Sequence, residues 1–132
     1  MNIHFSVSMC VYGKDNPTCF EAAVKSVLNQ TIPPDEFVLV VDGPVSDDLN
    51  LIIKNFEANP IFNVIRFEEN RGHGNARRAG LAKCSNELVA IMDADDICAR
   101  NRFEKQLEVF KGHPEIDIVG GQITEFINTV DN

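Results

Sequence analysis

Five consecutive apolar residues, Phe37-Val38-Leu39-Val40-Val41, stand between Pro33-Pro34 and Asp42-Gly43. The run is short, contains β-branched valines and is closed off by turn residues on both sides, so it reads as a strand. It shows no alternation, so both of its faces must be covered. A strand buried on two faces needs helices above and below the sheet, which narrows the chain to an α/β layer architecture. The remaining sequence supplies the other layers. Ile3–Val11, Asn63–Phe67 and Glu87–Met92 are further strand segments. Between them lie helical stripes: Phe20, Ala23, Val24, Val27 and Leu28, then Leu49, Ile52, Ile53 and Phe56, recurring at helical spacing.

Local signals place the helix ends. Thr18 and Glu21 have the spacing of a capping box, with Pro17 before them. Ser46 can cap the second helix, and Asp47 and Asp48 suit its first turn. Gly74–Lys83 reads as a third helix, whose small residues Ala76, Ala79 and Gly80 allow close packing. Asn101–Lys111 reads as a fourth, with Phe103, Gln106, Leu107 and Phe110 inward, Gly112 as the residue after its end and Pro114 preventing continuation. Ile116–Val119 and Gln122–Asn128 are late strand candidates. No internal repeat or linker divides the chain. The expectation is one α/β domain with a mostly parallel sheet flanked by helices on both faces.

Charge narrows the partners. The formal net charge is −8, which argues against binding a nucleic-acid backbone; the basic spot from Arg71 to Arg78 is local. No apolar run reaches the length of a membrane span and no signal-peptide pattern opens the chain, so a cytoplasmic location is expected. Cys10, Cys19, Cys84 and Cys98 lack metal-type spacing and read as reduced thiols. His4, His73 and His113 are scattered, and none reads as a ligand.

The chemistry gathers where the strands end. Ligands of open parallel sheets bind beyond the carboxyl ends of the strands. Those ends carry Val11-Tyr12, Asp42-Gly43, Asn70-Arg71-Gly72-His73-Gly74 and Asp93-Ala94-Asp95-Asp96. Three carboxylates within four residues repel one another unless a positive charge sits among them. Mg²⁺ or Mn²⁺ suits them, because these ions take one or two carboxylates and fill their other positions with water and phosphate. The bland alternative is a solvated acidic turn or a set of helix caps. An EF-hand loop starting at Asp93 fails, because Cys98 falls where that loop requires glycine. Gly72-x-Gly74 lacks the third glycine of a dinucleotide fingerprint, since Arg77 stands there, and no phosphate loop of Walker type is present.

Taken in order, these residues resemble a known family. Ser6–Tyr12, Ser26–Thr31 and Val40–Gly43 are similar to the opening of family 2 glycosyltransferases of GT-A fold. Asn70–Arg77 resembles that family's N-x-G-x-x-x-A-R segment, and Met92–Asp96 its DxD motif. Arg102–Gln106 and Val119–Gly121 continue the likeness, which covers essentially the whole chain. The strand-two end departs from the family's common Asp-Asp-Gly-Ser, reading Asp42-Gly43-Pro44-Val45.

The resemblance implies a nucleoside-diphosphate-sugar donor, UDP- or GDP-linked, and inverting transfer to a saccharide or lipid-linked acceptor hydroxyl, as in surface polysaccharide synthesis. It places Val11 and Tyr12 in the nucleoside pocket, Asp42 on the base, Gly72 in the donor site, and Arg77 near the base or the phosphates. Asp93 would reach the ribose or sugar, Asp95 the metal, and Asp96 would replace or assist Asp95. In the family the general base follows the DxD motif at a distance, so it is expected beyond Asn132; Glu125 and Asp131 are the late acidic residues of this chain. The chain then corresponds to the donor-binding portion of a truncated GT-A domain, residues 1–132, without the acceptor-binding portion. Such a fragment would bind nucleotide weakly, would not turn over, and would self-associate through an open sheet edge. In the full-length protein the site would work in the cytoplasm or at the inner face of the membrane. The alternatives are a sugar-nucleotide nucleotidyltransferase and a non-catalytic nucleotide-binding domain.

Overall fold

The computed structural model describes residues 3–113, 115–117 and 119. Strands and helices alternate: β1 (Phe5–Tyr12), α1 (Pro17–Leu28), β2 (Glu36–Asp42), α2 (Asp47–Glu57), β3 (Phe62–Arg66), α3 (His73–Lys83), β4 (Leu88–Asp93) and α4 (Arg102–Gly112). The four strands form one sheet in the order β3-β2-β1-β4, and every pairing is parallel. Every residue of β2 is buried, as its unbroken apolar run requires.

The register divides the sheet into two unlike faces. Val7, Met9, Phe37, Leu39, Phe62 and Met92 belong to one apolar core with Phe20, Val24 and Val27 of α1, Leu49 and Ile53 of α2, and Phe103 and Leu107 of α4. Phe37 stacks on Phe62 with ring centroids 4.5 Å apart, and Phe5 meets Phe103 edge-on at 5.1 Å. The opposite face presents Ser6, Ser8, Val38 and Val40 to α3. There Gly80 allows the close approach that small residues on α3 suggest: a Cβ at this position would sit 2.7 Å from Ser8 Oγ and 3.3 Å from Val40 Cγ2. Ser8 Oγ itself is buried without a hydrogen-bond partner among the described residues.

Several helix ends differ from the sequence reading by one residue or one partner. The first helix is capped by Asn16, not Thr18: Asn16 Oδ1 accepts the Thr18 and Cys19 amides at 2.9 and 3.1 Å, and Pro17 occupies the first turn. No Thr18–Glu21 capping box forms, because the helix already begins at Pro17 and Thr18 lies inside its first turn. Ser46 does cap α2, accepting the Leu49 amide at 3.2 Å. Gly112 ends α4 inside the helix, with His113 after it. Of the late strand candidates, Ile116 and Asp117 belong to no strand, and Gln122–Asn128 lies outside the described residues. Among the described residues β4 is an edge strand, and Ile91 on it is exposed.

A carboxylate ties the amino ends of the strands together. Glu36 Oε1 accepts Ser6 Oγ at 2.8 Å and the Ser85 amide at 2.7 Å, while Oε2 accepts Asn63 Nδ2 at 2.7 Å and Ser85 Oγ at 3.0 Å. Burial pushes the Glu36 carboxyl up, but these hydrogen bonds outweigh it and hold the group below its ordinary value of 4.5. Glu36→Gln places an amide donor against these donors and is expected to lower stability by about 1–3 kcal/mol in urea unfolding at neutral pH. A depressed pKa gives stability that is complete above the unfolded carboxyl range and is lost as pH falls through the folded value. The gap between wild type and Glu36→Gln should therefore narrow below about pH 4. On the α3 face, Gly80→Ala should cost about 1–3 kcal/mol by overpacking, and Ser8→Ala added to it should recover most of the loss in the same assay.

Candidate functional site

Parallel pairing brings the carboxyl ends of all four strands to one edge, and the loops leaving three of them enclose a cavity of about 580 Å³. That volume lies within the range of small-molecule sites, about 300–1,000 Å³. Cys10, Val11, Tyr12 and Asp15 line it from β1 and the loop after it, Asp42 from β2, Asn70, Gly72 and His73 from the β3–α3 loop, and Asp93, Ala94 and Asp95 from β4. The sequence candidates Val11, Tyr12, Asp42, Gly72, Asp93 and Asp95 thus share one cavity. Arg77 and Asp96 do not line it.

Asp42 is the buried polar centre of the site, 5% exposed. Its Oδ1 accepts the Arg71 amide at 2.7 Å, and its carbonyl accepts Asn70 Nδ2 at 3.2 Å. The carboxylate therefore anchors the β3–α3 loop, and Oδ2 has no hydrogen-bond partner among the described residues. Gly43 follows with φ 92°, and a Cβ there would lie 2.6 Å from the Asn70 amide nitrogen. Glycine is required on both counts. The same loop is closed locally by Asn70 Oδ1, which accepts the Gly72 amide at 3.1 Å. The chain then enters α3, whose first residue His73 faces the cavity.

Arg77 sits beneath the site. Its Nη1 donates to the Ser8 carbonyl at 3.1 Å and its Nη2 to Asp93 Oδ1 at 3.3 Å, with the side chain 15% exposed. It holds Asp93 from below, between β1 and the end of β4. Asp95 and Asp96 are exposed, and the turn that carries them is closed by the Asp96 amide donating to the Asp93 carbonyl at 3.3 Å.

Two carboxylates register the negative field of this edge. Burial, then the charges of Asp95 and Asp93, push Asp96 above its ordinary value of 3.8, while Arg102 pulls the other way. Asp15 also rises, first through burial; the charges of Asp95 and Asp93 add to the rise, while the Tyr12 amide and His73 oppose it. Asp15 Oδ2 accepts that Tyr12 amide at 3.0 Å and so fixes the loop after β1. Such a field favours a bound cation. Among the described residues no three ligating side chains converge tightly enough to cage one. Asp95, exposed beside Asp93 and Asp96, is an oxygen donor of the kind that hard cations such as Mg²⁺ and Mn²⁺ accept alongside water and phosphate.

Asp15 and His73 line the cavity without having been singled out from the sequence. Asp15 lies three residues past the strand end, in a turn that carries no motif. His73 stood inside a recognised segment but, as an isolated histidine, gave no ligand spacing. Glu125 and Asp131 lie outside the described residues.

Comparison with known proteins identifies the family. The sequence model of Glycosyl transferase family 2 matches residues 6–132. The chain is 42% identical to an uncharacterized glycosyltransferase of Haemophilus influenzae, over 97% of this chain and 48% of that protein. It is 40% identical to the amylovoran biosynthesis glycosyltransferase AmsE of Erwinia amylovora, over 92% of this chain and 46% of that one. The chain thus spans about half the length of the curated relatives it matches. In fold it is similar to the mannosyltransferase PcManGT from Pyrobaculum calidifontis, solved with GDP-Man and Mn²⁺. The TM-score is 0.70 at 22% identity, covering 81% of this chain and 32% of the other. With the parallel sheet, the motif order and the family match all in agreement, the chain belongs to Glycosyl transferase family 2.

Proposed function

We propose that these residues form the donor half of an inverting glycosyltransferase that moves a sugar from a UDP- or GDP-linked donor to an acceptor hydroxyl on a saccharide or lipid-linked glycan. The observation that carries the reading is the shared cavity: Tyr12, Asp42, Gly72, Asp93 and Asp95, from four distant segments, surround one space of about 580 Å³. The family match, the GDP-Man and Mn²⁺ of the structurally similar mannosyltransferase and the amylovoran biosynthesis named for AmsE support the same assignment.

In this reading Tyr12 and Val11 wall the nucleoside. Asp42 Oδ2 accepts a hydrogen bond from the base, while Oδ1 keeps the loop of Gly72 in place. Asp93, steadied by Arg77, faces the ribose or the sugar. Arg77 thus acts on the donor through Asp93 rather than by contact. Asp95 is the side chain that would hold Mg²⁺ or Mn²⁺ against the diphosphate. Asp96, outside the cavity, adds to the local negative charge. When bound, the cation neutralises charge growing on the departing diphosphate. Displacement with inversion also needs a base for the acceptor's proton. None of the cavity carboxylates is assigned that role, and the base belongs to the acceptor-binding portion of the longer family fold.

Calorimetry with UDP, GDP, CDP and ADP, with and without Mn²⁺, tests the assignment. Wild type should bind UDP or GDP in a Mn²⁺-dependent manner, and Asp95→Ala should weaken that binding by at least about tenfold. NAD binding that ignores Mn²⁺, or nucleotide binding unchanged in Asp95→Ala, would count against it.

A further inference from the structure

Two stretches that carry the family likeness, Ser26–Thr31 and Arg102–Gln106, lie outside the cavity. The structure joins them to each other. Gln30 is 5% exposed at the end of α1. Its Nε2 donates to the Ala99 carbonyl at 2.6 Å and to the Ser26 carbonyl at 3.1 Å, and its Oε1 accepts the Phe103 amide at 3.0 Å. Ser26 Oγ donates to the Ala23 carbonyl at 2.7 Å and accepts the Cys98 amide at 3.0 Å. The Thr31 amide adds a bond to the Arg100 carbonyl at 2.9 Å.

These bonds do two things at once. They supply the amino-terminal cap that α4 lacks locally, since Asn101 makes no side-chain capping bond. They also fix the far limb of the loop that leaves β4. The near limb is fixed as well: Asp93 ends a paired strand, and Ala94 is buried. Asp95 and Asp96 occupy the short exposed span between. The Asp96 amide's bond to the Asp93 carbonyl shapes the turn, and the two anchors set where that turn stands. A glutamine is suited to the second anchor because one side chain must both donate to a carbonyl and accept from an amide.

We infer that Ser26 and Gln30 are positioning residues for Asp95, setting the geometry at which its carboxylate meets a divalent cation shared with the donor's diphosphate. The inference rests on the donor-site reading above. It separates the brace from ordinary core packing, because loosening residues 98–103 would move Asp95 while leaving Tyr12, Asp42 and Gly72 in place. Ser26 borders a cavity of about 330 Å³ with Asn29, Cys98 and Arg100, and Ser26→Thr adds one methyl beside its hydroxyl.

The test uses the full chain with saturating UDP or GDP, whichever wild type binds, and titrates Mn²⁺ by the paramagnetic resonance of the free ion. Melting temperatures confirm that each variant is folded at the assay temperature. Ser26→Ala and Gln30→Met should each weaken Mn²⁺ binding by about tenfold. Ser26→Thr, which keeps the hydroxyl, should restore it. Unchanged Mn²⁺ affinity in folded Ser26→Ala and Gln30→Met would overturn the inference while leaving the donor site standing. So would a folded Ser26→Thr that fails to rescue. A wild type that binds no Mn²⁺ with either nucleotide removes both, since Asp95 would have no cation to meet.

Discussion

Burial of β2 on both faces is the constraint from which the rest follows. Its side chains need cover above and below, so α3 packs on one side and α1, α2 and α4 on the other. Crossover helices make the neighbouring strands parallel, and parallel strands deliver all their carboxyl ends to the same edge. The site is a consequence of that delivery. The opposite edge is held by Glu36, whose carboxylate joins β1, β2, β3 and the segment before β4. One buried acid fixes the amino ends, and another, Asp42, links the carboxyl end of β2 to the β3–α3 loop.

The polar residues of the site do not all face the ligand space. Asp42 commits one oxygen to the Arg71 amide, so its role is partly architectural. Arg77 spends its guanidinium on the Ser8 carbonyl and on Asp93. That arrangement offsets one carboxylate charge and orients it. Burial first, and then the charges of Asp93 and Asp95, raise Asp15 and Asp96, so this edge stays negative even with Arg77 engaged.

Much of this was legible in the sequence, because the informative signals were local. A five-residue apolar run between turn residues, helical stripes, and polar residues at strand ends predict the layers and the edge where they open. What escaped were contacts that local patterns do not encode. Asn16 outcompetes Thr18 as a cap through loop geometry, not composition. Arg77 reads as a donor ligand from its motif, yet the structure turns it under the sheet edge toward Asp93. Gln30 caps a helix that begins 72 positions later in the chain, which no window of sequence reveals. Roles within the site depend on such partners, whereas the fold depends on patterns.

In the proposed function, the segments around Tyr12, Asp42, Gly72 and Asp95 surround a single diphosphate and its cation. Amide chemical-shift mapping of the labelled chain, titrated with UDP or GDP and Mg²⁺, tests it directly. Shifts should appear together in all four segments, saturate with one affinity and vanish on chelation of Mg²⁺. Shifts confined to one segment, or concentrated along the open side of β4, would contradict it.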